Sequence, residues 1–394
     1  FQYDNDRVPC CVDDRGAAPV PEHVSHGQLI YLIAEYVRLT GDTAIARTNW
    51  PRIVAAVGYI DTLRRQRLTP EYDAPDKRHF RGILPPSISH EGYSAKPMHS
   101  YWDDFFALRG LKDAAELAVT LGELEEARRI GALSDTFRVD LIASIEAAMR
   151  VHNIDFIPGA ADLGDFDATS TTVGLAPGGE LHRLPRAAVE RTFARYYEEF
   201  VKRRDGPQTW EAYTPYEFRV PGSLLRLGWR SRAHEVLDWL FKDARPVEWN
   251  QWPEVVWRDP RIPRFFGDVP HGWVASDFIR SVLDLFAYED EQETGAALVI
   301  GAGIKDQWLR EGDGVRVRAL PTRFGRIGYH ARAVGDTIVF SFDPGSRMPA
   351  AGIVVRNPSD LPARRILVDG REASPDAGGD LVLLAAAREV RFEY

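Results

Sequence analysis

The chain has 394 residues, 44% of them hydrophobic and 27% charged, enough to bury a large core and to form about two domains. Acidic residues outnumber basic ones by 58 to 49, for a formal net charge of -9, and no basic block stands ready to neutralise a phosphate backbone or an anionic lipid surface. Nucleic acid and membrane are therefore excluded as expected partners, and no apolar run approaches the length of a membrane span. The cysteines are the neighbours Cys10 and Cys11, which cannot staple distant segments and are too few to make a metal cage. The opening "FQYDNDRVPCCVDDRG" lacks an initiator Met and a signal peptide and has a loop texture, which reads as a fragment or processed chain of undecided compartment.

In chain order, apolar residues at helical spacing predict helices over roughly 22–40, 43–66, 101–121, 123–150, 186–203, 215–227, 230–242 and 272–287. The turns "RLTGDTAIA" and "VTLGELEEA" share a device, a Gly ending one helix and an acidic residue opening the next, and so predict helical hairpins. Between the helices lie long loops rich in Pro, Gly and aromatic residues, including "RGILPPSISHEGYSAKP", "IDFIPGAADLGDFDATST", "GPQTWEAYTP" and "RPVEWNQWPEVVWRDPRIPRFFGDVP". Loops of that length in a compact domain are usually functional. Past residue 290 the pattern changes to alternation, in "GVRVRAL", "RIGYHARAV", "TIVFSF", "GIVVRN", "RRILVDG" and "EVRFEY", predicting a C-terminal antiparallel β-sandwich. The expected division is a helical catalytic domain over 1–290 and a sandwich over 291–394.

Two segments carry chemistry. "HSYWDDFFALRG" puts Asp103 and Asp104 among Tyr101, Trp102, Phe105 and Phe106, where desolvation raises a carboxyl pKa and a neighbouring carboxylate disfavours a second charge. "NQWPEVVWRDPRIPRFFGDVPHGWVASDF" places Glu254 in a loop, where a carboxylate stays ionised. A protonated acid and an ionised base are what cleavage of a glycosidic bond needs. Trp102, Trp210, Trp249, Trp252, Trp257 and Trp273 lie in or beside loops and offer ring faces on which sugars stack. Other readings stand beside these: Asp103 and Asp104 as caps of the helix they open, Glu254 as a solvated loop residue, Glu211 as a competing base or hydroxyl ligand, Glu217 as an ion-pair partner, and His23 and His26 as cleft-lining, capping or packing residues. The acidic cluster Asp162, Asp165 and Asp167 lacks the Gly and distal Glu of an EF-hand, so no metal is expected there. Neither a GxSxG elbow, a P-loop nor a dinucleotide fingerprint is present, and no cofactor is implied.

"SYWDDFFALRG" resembles the S-G-W-D motif that opens an inner helix in the trehalase and processing α-glucosidase group of six-hairpin, or (α/α)6-toroid, glycosidases. Ser100 takes the small position, Trp102 the aromatic one, and Tyr101 replaces the usual Gly. The resemblance implies a mainly α fold, an (α/α)6 toroid lacking some N-terminal helices and followed by a sandwich, with Asp103, or Asp104 if the register shifts, as general acid. The second segment is similar to the last catalytic loop of these enzymes and implies Glu254 as general base, with His271, Gly272 and Trp273 at the rim. The expected function is hydrolysis of an oligo- or polysaccharide with inversion, with Trp102, Glu211, Tyr213, Trp252, His271 and Trp273 contacting the carbohydrate. A non-catalytic carbohydrate-binding toroid, a polysaccharide lyase and a glycoside phosphorylase are the alternatives.

Overall fold

The computed structural model describes residues 2–20, 22–89, 92–206, 210–244, 247–259, 261, 264–345 and 347–394. The chain divides into two compact units, residues 1–194 and 195–394.

The first unit begins with a two-residue hairpin, β1 (Val12–Asp13) with β2 (Gly16–Ala17), and continues with α1 (Val24–Thr40), α2 (Ala44–Arg65), α3 (Tyr101–Leu121), α4 (Leu124–His152) and α5 (Ala168–Leu175). The turn device works as expected at its glycines. Gly41 and Gly122 take left-handed backbone, at φ 74° and 83°, and the Gly41 N–H closes on the Val37 carbonyl at 2.8 Å. The acidic half holds at Asp42, whose Oδ1 accepts the Ala44 N–H at 2.9 Å, whereas Glu123 makes no side-chain cap. Helix α1 packs on α3 at a glycine crossing. A Cβ on Gly27 would stand 2.0 Å from the Phe106 carbonyl oxygen, and one on Gly110 would stand 2.6 Å from Gly27 Cα. That contact seats α1 against the buried apolar rows of α3, with Ile30 and Ile33 from one helix and Phe105, Leu108 and Leu111 from the other in the core. Buried charges are paired: Arg109 and Arg38 both hold Asp113.

Helix α6 (Arg186–Asp205) spans the boundary between the units. The second unit then runs through β3 (Ala212–Tyr213), α7 (Arg219–Arg226), α8 (Arg230–Lys242), β4 (Val256–Trp257) and α9 (Gly272–Asp284). The helix expected over 215–227 is two pieces, a 3-10 turn at Pro215–Phe218 and then α7. Strands start earlier than expected, with β5 (Ala287–Gln292) and β6 (Gly295–Ile300), followed by the short α10 (Asp306–Arg310). The rest is β7 (Val315–Thr322), β8 (Gly325–Val334), β9 (Thr337–Phe342), β10 (Ile353–Val355), β11 (Arg365–Val368), β12 (Arg371–Ala373), β13 (Leu381–Leu383) and β14 (Glu389–Glu393).

These strands form a four-stranded sheet, β13-β10-β6-β5, and a six-stranded one, β12-β11-β14-β9-β8-β7. The six-stranded sheet is antiparallel throughout. The four-stranded one corrects the antiparallel expectation at one pair, because β10 runs parallel to β6 with Val354 opposite Val299. Leu298 and Ile300 from the smaller sheet and Ile327, Tyr329, Ile338, Phe340, Val390 and Phe392 from the larger belong to one buried cluster. Alternation sends every second side chain into this core. A buried Arg226–Asp284 pair ties α7 to α9, and the Arg226 guanidinium lies 4.4 Å from the Tyr288 ring centroid.

Candidate functional site

At the head of α3, the Tyr101 N–H is taken by the Gly159 carbonyl at 3.0 Å, and Ser100, the N-cap residue, makes no side-chain cap. The two following carboxylates turn away from their own helix end. Asp103 Oδ1 accepts the Ser89 hydroxyl at 3.1 Å, Oδ2 accepts the Ser87 hydroxyl, and the His23 backbone N–H adds a third donor. Ser89 Oγ lies 2.8 Å from Ser100 Oγ, and the Ser89 N–H donates to Ser87 Oγ at 2.9 Å, so the two serines are themselves held. Asp104 Oδ1 accepts the Leu84 N–H at 2.9 Å, and its Oδ2 is buried with no hydrogen-bond partner among the described residues. Neither side chain is seen hydrogen-bonded to the N–H groups of α3, although both lie in its first turn, where a negative charge favours the helix dipole.

Burial dominates the electrostatics here. Asp103 is 1% exposed and Asp104 0%. Burial pushes the Asp103 carboxyl up to about 7 against the pull of the Ser87 and Ser89 hydroxyls, and the Glu22 charge adds to the rise. Burial likewise raises Asp104 well above the usual carboxylate range, opposed by the Leu84 N–H and reinforced by the Asp103 charge. The head of α3 thus holds acids that keep a proton where ordinary carboxyls have lost theirs. His23 and His26, by contrast, are no proton donors at neutral pH. Burial takes His23 down to about 3 and His26 to about 4. His26 Nδ1 donates to the His23 carbonyl at 3.1 Å, Nε2 accepts the Val8 N–H at 3.1 Å, and the ring stacks on Tyr59 at 4.7 Å, so His26 is a packing residue.

Each carboxylate of the acidic cluster accepts hydrogen bonds from neighbouring residues. Asp162 accepts from the His99 N–H at 2.6 Å, Asp165 from the Tyr93 hydroxyl and the Ala160 N–H, both at 2.9 Å, and Asp167 caps α5 through the Ser170 N–H at 3.0 Å.

In the second unit, β3 pairs with β4, Ala212 opposite Trp257 and Tyr213 opposite Val256, and this ribbon fixes the loop that carries Glu254. Glu254 Oε1 accepts the Tyr216 hydroxyl at 3.3 Å, and that hydroxyl lies 2.9 Å from His271 Nε2. The chain of bonds is complete when His271 carries its proton on Nε2, donates to the Tyr216 oxygen, and Tyr216 donates to Glu254. Burial and the Glu254 charge push the Tyr216 hydroxyl up, so it remains a donor. Gly267, at φ 62°, lets the backbone abut the carboxylate, since a Cβ there would lie 2.1 Å from Glu254 Oε2. Arg219 binds Asp277 at 2.8 Å, lies 4.8 Å from the Tyr216 centroid and 5.7 Å from that of Trp273. Trp273, 39% exposed, and the exposed Phe265 and Phe266 give the same unit accessible aromatic rings.

Three of the expected carbohydrate contacts are core residues instead. Trp252 is 5% exposed, its Nε1–H donates to the Leu240 carbonyl at 3.1 Å, and Phe218, Phe241 and Phe278 surround it at 4.5 to 5.9 Å. Tyr213 is buried against Trp239 at 4.9 Å with Arg203 over its ring at 5.0 Å, and Trp102 is buried edge-on to Phe106. None offers a sugar a free ring face. Glu211 is exposed and pairs with Arg264 at 3.1 Å. Glu217 is the expected ion-pair partner, binding Arg203 through both oxygens and accepting the Tyr196 hydroxyl. The sequence reading missed Ser87 and Ser89, for which the Ser-x-Ser spacing in "PPSIS" was the available signal, and it missed Tyr216, Arg219, Asp277 and Gly267.

No family model matches this sequence, and no curated protein matches it. Among solved structures, an alpha-L-rhamnosidase from Dictyoglumus thermophilum matches over 100% of the chain with a TM-score of 0.55 at 10% identity. The chain shares the fold of that rhamnosidase. It spans 42% of the rhamnosidase's length. A rhamnosidase of family GH78 from Bacillus sp. GL1 matches 78% of the chain and 30% of its own, at a TM-score of 0.49 and 15% identity. Nothing in these likenesses singles out the trehalase and processing α-glucosidase group that the "SYWDD" segment resembles.

Proposed function

We propose that the chain is part of a glycoside hydrolase whose helices belong to an (α/α)6 toroid, with a division near residue 290 into catalytic helices and sandwich. The observation that supports the reading is Asp103, a buried carboxyl in the first turn of α3 that burial pushes up to about 7. In this reading Asp103 gives its proton to the leaving glycosidic oxygen as the bond to the anomeric carbon breaks. Glu254 takes a proton from the water that attacks that carbon, and inversion follows. Tyr216 and His271 orient Glu254, and Trp273 stacks on the sugar. The shared fold makes rhamnosides the first substrates to try.

A carbohydrate-binding module is the second reading. The full burial of Asp103 favours it, as do the exposed rings of Trp273, Phe265 and Phe266, which need no proton donor. Wild type, Asp103→Asn and Glu254→Gln incubated with a panel of aryl glycosides and oligosaccharides, aryl α-L-rhamnoside included, separate the two. Hydrolysis by wild type that falls about 10²-fold or more in both variants supports the enzyme. Equal binding by all three proteins with no cleavage by any supports the module. Turnover that depends on added phosphate would reassign the reaction to phosphorolysis.

A further inference from the structure

Ahead of α1, a short hairpin brings two thiols to a buried carboxylate. The pairing of β1 with β2 is extended by the Ala18 N–H, which donates to the Cys11 carbonyl at 3.0 Å and fixes the backbone where the thiols emerge. The Tyr3 hydroxyl holds the Ala17 carbonyl at 2.9 Å, and the Arg7 guanidinium holds that of Ala18 at 3.1 Å, so the hairpin is tied down at two further points. Glu22, buried just before α1, makes a side-chain hydrogen bond with the Cys10 thiol, and one ligand atom each from Cys10, Cys11 and Glu22 lie within 4.8 Å of one another.

We propose that Cys10, Cys11 and Glu22 bind a divalent cation of zinc-like character, with the fourth position left to water. The donor set, two sulfurs and one carboxylate oxygen, suits zinc and disfavours calcium or magnesium, which take oxygen ligands. Tetrahedral zinc, with bonds of about 2.3 Å to sulfur and 2.0 to 2.2 Å to oxygen, sets its ligand atoms roughly 3.5 to 3.8 Å apart. Closing the present spread therefore needs movements on the order of 1 Å, within reach of thiol rotamers. Cys11 is exposed, which gives the ion an entry path. The adjacent cysteines alone are too few for a cage, and the third donor comes from beyond the hairpin.

The test titrates Cd²⁺ as a spectroscopic probe into the reduced chain under a phosphine reductant, then displaces it with Zn²⁺. Expected are one equivalent of Cd²⁺ per chain, a thiolate-to-cadmium absorption band in the ultraviolet, and displacement by Zn²⁺. Cys10→Ser with Cys11→Ser should abolish the band. Glu22→Gln should lower affinity at least about tenfold, the smallest loss expected even for residues outside the first ligand sphere. Added Zn²⁺ should raise the thermal midpoint of wild type and leave the double serine variant unmoved, and circular dichroism of the metal-free proteins checks that each has folded. If Glu22→Gln unfolds, Cys11→Ser alone serves, since it alters an exposed residue. Wild-type affinity in folded Glu22→Gln would reduce the site to a dithiol and overturn the proposal, as would the lack of a band in reduced wild type.

Discussion

Replacing Asp103 by Asn removes a proton but little volume, and the structure gives the size of the effect. The carboxyl rises from 3.8 to about 7, chiefly through burial. A raised carboxyl keeps its proton in the native state while the unfolded chain has released it. Its contribution to stability is therefore fully present below pH 3.8 and is lost as the pH climbs through 7. Integrated between pH 5 and pH 8, the loss in wild type is roughly 2.5 kcal/mol, and Asp103→Asn should not show it. At pH 5 the Asn variant should be less stable than wild type by about 0.5 to 1.5 kcal/mol, because the amide carries two N–H donors where the protonated carboxyl carries one O–H, among the Ser87, Ser89 and His23 donors. By pH 8 the order should reverse. Asp104 acts in the same direction, since removing the Asp103 charge relieves a neighbour that also resists ionisation. The assay is urea unfolding at pH 5, 6, 7 and 8, read by hydrogen exchange of α3 amides because a chain of two units need not unfold in one step. Parallel profiles with a constant offset would show that Asp103 ionises like an ordinary aspartate and would remove the physical basis for its role as acid.

Glu254→Gln should lose activity about 10²-fold or more with unchanged urea resistance, and azide should restore part of it; unchanged turnover would dismiss the base. Trp252→Ala should destabilise the chain by about 3 to 5 kcal/mol, because it empties a core site. Trp273→Ala should leave folding nearly intact and weaken carbohydrate binding by roughly 1 to 1.5 kcal/mol, measured by calorimetry; a large loss of stability there would contradict its placement at the surface.

Much of the helical fold was legible because local signals agreed. Residues 101–121 match α3 at both ends, since a strong apolar period runs unbroken to Gly122, which only a left-handed turn can follow. Helix α5 escaped because "ATSTTVGL" is poor in strong helix formers, and its start depends on one cap, Asp167. The strand β5, all but Ala287 of it past the helix expected over 272–287, was not among the expected strands because "YEDEQ" has little β-propensity, and its partner β6 sets it. The parallel β6–β10 pair joins segments far apart in sequence, which no local pattern records. At the site, desolvation of Asp103 was readable from its aromatic neighbours. The serines that hold it were not, because they arrive from a separate loop. The tryptophans misled for a related reason: a loop position tells where the chain turns and not which way a ring points, so Trp252 in a loop packs as deeply as Trp102 in a helix.

Burial acts on Asp103 in two opposed ways, and the balance decides between enzyme and binding module. It keeps the carboxyl protonated near neutrality, as an acid requires. It also occupies both oxygens with serine hydroxyls, while a general acid must come within about 2.6 to 3.2 Å of the oxygen it protonates. The two demands are compatible if a sugar oxygen takes the place of one serine hydroxyl. That exchange reverses one hydrogen bond, since the serine O–H donates to the carboxyl while the glycosidic oxygen, an ether without a proton, accepts from it, and the displaced hydroxyl costs about 1 to 3 kcal/mol unless it finds another acceptor. Exposing the carboxyl to water to make it reachable would forfeit the raised pKa altogether. Ser87 and Ser89 hold the positions from which a substrate oxygen would have to displace them, and the proposed acid role of Asp103 requires that one of these hydroxyls turn to another acceptor.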